Sequence, residues 1–135
     1  MKRYSNQLGL AQSLHSLAIV TSTMHYYVCA ILLSILANTK YFSLTSFEIG
    51  IMFTGHTSGV LLTYKFITSA IKSYGLNSVV NLGFFILVVS NFALWLVVAF
   101  IENSSVFATA IFAVRLLGGM GSGLIDASCL ISRNH

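Results

Sequence analysis

Proline is absent from the 135 residues, and acid is nearly so: Glu48, Glu102 and Asp126 are the whole set. No helix kink can therefore be traced to proline. No two acids lie close enough in sequence to act as a general acid–base pair. Charged residues of both signs make up 7% of the chain, against about 25% in an ordinary soluble domain. So few cannot cover a surface that faces water. There are two cysteines, Cys29 and Cys129, and both sit inside apolar runs. They read as packing residues rather than as a disulfide or a metal pair. The four histidines lack metal-ligand spacing, and no G-x-x-x-x-G-K-[ST] loop is present. The sequence thus offers no catalytic set, no metal site and no cofactor fingerprint, and an enzyme is not expected.

Apolar surface is what the chain has in excess. Hydrophobic residues make up 56% of it, and its mean hydropathy is +0.86. Four apolar segments stand out, at about 14–37, 46–71, 79–101 and 106–131. Each reaches the roughly 20 residues that a helix needs to cross hydrocarbon. A backbone in lipid must pair internally, so helices are the natural assignment. Short alternating strands of the β-barrel kind are missing. The expected class is all-α: a polytopic membrane protein of four transmembrane helices in one partial transmembrane domain, residues 1–135. Met1-Lys2-Arg3 opens the chain, but no small-residue cleavage site follows a short apolar core, so the first run is expected to stay as a span.

The connectors fit this plan. Thr45-Ser46-Phe47-Glu48 reads as a capping box that opens the second helix. Lys72-Ser73-Tyr74-Gly75 closes it, with a cation in the last turn and a glycine beyond. Glu102-Asn103-Ser104-Ser105 joins the third and fourth segments. Its Asn-Ser-Ser sequon lies so near the membrane that glycosylation is not expected. With a cytoplasmic N-terminus, Lys2, Arg3, Lys72 and Arg133 lie inside and Lys65 snorkels inward. Only Lys40, Glu48 and Glu102 are then outside. Both termini are expected on the cytoplasmic side. The basic residues are scattered, which suits topology and not nucleic acid.

Several polar residues fall inside the apolar segments. Thr54, Thr57, Ser58, Lys65, Thr68 and Lys72 lie near one helical stripe of the second segment. Such a stripe should face other helices or water. Gly55 and Gly59 form one G-x-x-x-G, and Gly119 and Gly123 another, the latter within a run of glycines from Gly118. Glycine at that spacing lets helices approach closely. Arg115 is the most informative residue, about ten positions into the fourth segment. A charge at that depth needs a partner or an aqueous cavity. His25 and His56 lie at about the same depth, roughly 15–17 Å in, so the three can share a layer. The alternative for each histidine is a bond to backbone carbonyls. Asp126 lies three turns beyond Arg115, too far for a direct pair.

These features resemble the major facilitator superfamily. In that family a glycine often opens the second helix, as Gly50 does here, and G-x-L-x-D-R-x-G-R follows it. Gly59 lies within that segment. Gly75 falls at the second glycine of the loop motif, while Thr68 and Lys72 replace its first glycine and its aspartate. Ser73 and Leu76 replace its arginines. Gly83 fits a glycine common early in the third helix. The family's fourth-helix R-x-x-Q-G-x-G is matched by Arg115-Leu116-Leu117-Gly118-Gly119-Met120-Gly121 at the arginine and both glycines. The resemblance covers most of this chain but about a third of a family transporter, which has twelve spans in two halves. It implies the N-terminal part of a secondary-active transporter moving a small solute by alternating access, as a fragment, a piece of a split transporter or a degenerate subunit. The implied partners are the bilayer, an unknown solute and the remaining helices. Arg115 would pack with its glycines near the pathway, with His25, His56 and Asp126 as titratable groups for a coupled proton. The alternative is a small structural subunit of a larger membrane complex without transport of its own.

Overall fold

A computed structural model describes residues 16, 17, 20, 23, 24, 26, 27, 30–35 and 44–133. The described N-terminal residues are all helical and are called α1 below. After them come α2 (Ser46–Tyr74), α3 (Leu76–Phe100) and α4 (Ser104–Arg133). No strand occurs among the described residues.

Each boundary has a local cause. The Thr45 hydroxyl accepts the Glu48 amide at 3.3 Å, and the Glu48 carboxylate accepts the Thr45 amide at 2.8 Å. Two amides that the first turn would leave bare are thereby satisfied, which is the capping box the sequence announces. At the far end of α2 the Gly75 amide donates to the Ile71 carbonyl at 2.9 Å. Gly75 then turns the chain at φ 81°, a backbone conformation that costs a side-chain-bearing residue energy. α3 begins at the very next residue. The Asn103 side chain opens α4 by accepting the amides of Ser105 at 3.1 Å and Val106 at 3.3 Å.

The helices run past the apolar runs that mark them in the sequence. α2 continues through Lys72 and Ser73, and α3 starts before Asn77 and Ser78. Polar residues at a helix end need not stop it when the backbone stays paired. The interval expected between the second and third segments therefore shrinks to Gly75 alone.

α2 and α3 touch each other little, although one residue joins them; α4 packs extensively on both and holds them together. Three apolar clusters fill the contacts. Leu33 of α1 meets Leu44, Met52, Phe107, Ala108 and Ile111 near the start of α4. Leu87, Ile125 and Cys129 pack between α3 and α4. Ile67, Val79 and Ala127 close the end near the Gly75 turn.

Two helices are long and apolar enough to cross a membrane, Leu76–Phe100 and Ser104–Ile131. The expectation of four spans is met only to that extent. α2 has the length, but its Glu48, Lys65 and Lys72 dilute its apolar character. The expected first span, 14–37, lies partly outside the described residues. The two qualifying helices differ in burial. α3 exposes Leu82, Phe85, Val88, Phe92, Trp95 and Phe100. α4 is the more buried of the pair.

Candidate functional site at the crossing of α2 and α4

Glycine sets the distance between α2 and α4. A Cβ placed on Gly119 would run into the His56 backbone carbonyl, and one on Gly59 into the carbonyl of Leu116. A Cβ on Gly55 would lie 2.7 Å from the Phe112 carbonyl oxygen. These obstacles are backbone, which cannot swing aside as a side chain can. The same device recurs where α3 crosses α4: a Cβ on Gly83 would lie 2.9 Å from the Gly121 carbonyl, and one on Gly121 2.9 Å from that of Gly83. Gly123 packs against Thr63 and Val60. Gly50 has open space around it, and Gly75 serves the turn instead of a crossing.

Hydroxyls lock the crossings. Thr63 donates to the carbonyls of Gly59 at 3.0 Å and Met120 at 3.3 Å. Ser90 of α3 donates to the Val114 carbonyl of α4 at 2.9 Å. Both side chains are buried. Interhelical bonds of this kind contribute about 0.6 kcal/mol on average between membrane helices.

Arg115 lies beside the α2–α4 crossing and is 4% exposed. Counting from Ser104 it is eleven residues along α4, about 17 Å of helix rise. Its guanidinium carbon is 5.4 Å from the ring centre of Tyr26 and 5.4 Å from that of Phe53. The cation is thus held between two aromatic faces, an arrangement contributing about 2 kcal/mol or more per desolvated contact. The Tyr26 ring also lies 4.9 Å from the His56 ring, and His56 is buried. Tyr26, Phe53, His56 and Arg115 therefore form one layer across α1, α2 and α4.

The structure brings His56 and Arg115 into this layer and leaves Asp126 out of it. Asp126 is half-buried three turns further along α4. His25 lies outside the described residues. The aromatic partners Tyr26 and Phe53 escaped the sequence reading, because an aromatic ring inside an apolar run carries no mark of the cation it will meet. The polar stripe of α2 also finds its place. Thr54, Thr57, Lys65, Thr68 and Lys72 are exposed and Ser58 is partly so. They form the outer face of the helix, and the glycines form its packing face. Among the described residues no group of histidine, cysteine or acid is arranged to hold a metal ion.

Compared with models of protein families, with curated proteins and with solved structures, the chain finds no match.

Proposed function

We propose that the chain is a membrane-embedded unit of four spans, the first part of a secondary-active solute transporter of the major facilitator type. The observation that carries this reading is Arg115, a cation buried near the middle of a long apolar helix and enclosed by aromatic rings. A charge held at such depth is costly and persists where it serves a pathway or a helix interface. The exposed face of α3 supports the membrane setting: Phe85, Val88, Phe92 and Trp95 lie on it, an apolar patch suited to lipid and poorly suited to water. In this reading both termini face the cytoplasm, with Lys72 inside and Glu102 outside. Arg115 and His56 stand at the interface that moves as one half of the transporter rocks against the other. The partners are the bilayer, a small solute and the remaining transporter helices; no cofactor takes part.

A second reading is favoured by the glycine crossings. Backbones seated against each other at Gly59, Gly83, Gly119 and Gly121 make a rigid unit, which suits a structural subunit of a larger membrane complex without transport of its own.

Purification of the intact protein from its own membrane, followed by counterflow assays in liposomes, separates the two. Labelled sugars, amino acids, organic ions and short peptides are the probes. The transporter reading expects one class to accumulate above the level of empty liposomes. No accumulation of any class, together with partner subunits at fixed stoichiometry, would establish the structural subunit instead.

A further inference from the structure

Trp95 is the only tryptophan in the 135 residues. It stands on the exposed face of α3, little more than one turn before the helix ends at Phe100, and its side chain is 61% exposed. Phe92 lies against it with the rings inclined by 28° and their centres 6.0 Å apart. Phe100 meets it edge-on, at 6.5 Å and 87°. Both phenylalanines are exposed as well. Three rings thus gather on the outside of one helix end.

Tryptophan makes two demands. Its ring is wide and apolar, and its indole N–H is a donor that wants an acceptor. Among the described residues that N–H has no hydrogen-bond partner. Its surroundings are otherwise hydrocarbon. α3 carries no titratable side chain. From Leu82 to Phe100 the one other exposed polar side chain is Asn91, whose amide donates back to the Leu87 carbonyl at 3.1 Å. Just beyond Phe100 the chain turns polar, with Glu102 and Asn103 exposed. Trp95 therefore lies between an apolar face and a polar end, the boundary at which ring and donor are both satisfied. The lengths agree. From Trp95 back to Leu76 the helix rises about 28 Å, close to the roughly 30 Å of a bilayer's hydrocarbon. At that far end Lys72 and Tyr74 are exposed, and Asn77, Ser78 and Asn81 make the outside of the first two turns of α3 polar.

We propose that Trp95, backed by Phe92 and Phe100, is a lipid-binding anchor that holds the Glu102 end of α3 at the ester-carbonyl and headgroup layer of the bilayer. The partner is phospholipid. The indole N–H donates to an ester carbonyl or phosphate oxygen, and the rings lie on the upper acyl chains. The proposal rests on the membrane-embedded reading and adds a depth to it. α4 shares that depth, because Ser90 bonds the Val114 carbonyl and Gly83 and Gly121 seat the two backbones together. Ser90 is about 7.5 Å along the axis from Trp95. Arg115, one residue past Val114, is thereby held about 9 Å below the anchor.

Depth-dependent fluorescence quenching tests this on the full-length protein in bilayers. The signal assigned to Trp95 is the difference between native protein and Trp95→Phe. The quenchers are acrylamide in the water and phosphatidylcholines brominated near the carbonyl end, at the middle or near the methyl end of one acyl chain. Bromine near the carbonyl end is expected to quench that signal most. Strongest quenching by methyl-end bromine overturns the anchor and leaves the membrane reading standing. Weak quenching by every agent places another helix over Trp95 and overturns it equally. Strong quenching by acrylamide, with none by brominated lipid, sinks the anchor and the membrane reading together. A second measurement asks whether Trp95 holds the depth or merely sits at it. A nitroxide on Val88→Cys reports depth through its relaxation by oxygen and by a nickel chelate. Trp95→Tyr keeps an amphipathic ring and is expected to leave that depth unchanged. Trp95→Leu removes the polar tip and is expected to shift it by about 1.5 Å or more, at least one residue's rise. Trp95 is exposed, so neither exchange reaches the core. The same depth in native protein and Trp95→Leu overturns the proposal.

Discussion

Arg115→Leu is expected to reduce solute uptake by the intact protein to the level of empty liposomes, with the variant present in the membrane in normal amount. The two halves of that expectation have separate causes. Leucine is apolar and somewhat smaller than arginine, so it removes the buried charge and keeps an apolar side chain in its place. A charged side chain near the middle of a membrane helix is costly and an apolar one is not, so insertion and folding should survive. The functional loss follows from what disappears between Tyr26 and Phe53, a planar cation facing both rings. Arg115→Lys sharpens the test. Lysine keeps the charge but offers a compact ammonium in place of a planar guanidinium, so it is expected to restore uptake only in part. Native uptake by Arg115→Leu would remove Arg115 from the pathway and the main support for the transporter reading with it.

Gly119→Val is expected to have the largest effect on the fold. Its Cβ would meet the His56 carbonyl, while Gly59 faces the Leu116 carbonyl across the same contact. Neither helix can yield by rotating a side chain, so the two must separate along their length. Forcing extra atoms into a packed interface typically costs 1–3 kcal/mol; against backbone we expect at least about 3 kcal/mol. Separation would also open the ring layer around Arg115. The measurement is the midpoint of unfolding in mixed micelles, read alongside abundance in the membrane. Gly50→Ala is the control, for Gly50 lies inside α2 with open space around it. There the exchange is expected to stabilise by about 0.5–1 kcal/mol, since glycine is the poorer helix residue. No loss of stability in Gly119→Val would mean that helix propensity and not close approach governs the crossing.

The sequence was most legible where structure is decided within a few residues. Thr45 and Glu48 announce their capping box because both partners lie in one turn. Gly75 marks the end of α2 because its backbone conformation suits glycine. Arg115 stands out because charge is rare in the chain. Legibility failed where the answer depends on how a helix is rotated about its axis. The α2 stripe from Thr54 to Lys72 was expected to face helices or water, and the periodicity alone could not say which. The contacts of Gly55 and Gly59 claim the face packed on α4 and leave the stripe off it. Thr63 and Ser90 gave no signal, since a hydroxyl in an apolar run reads the same whether it bonds its own helix or a neighbour.

A nitroxide label at Val88 tests the membrane setting most directly. Val88 is the middle residue of α3 and is 66% exposed. With Cys29 and Cys129 changed to serine, Val88→Cys carries the only thiol in these 135 residues. The account predicts that, in native-like bilayers, dissolved oxygen relaxes this label more strongly than a water-soluble nickel chelate does, because oxygen concentrates in hydrocarbon. The reverse order, with the chelate the stronger relaxant, would place the face of α3 in water and contradict the account.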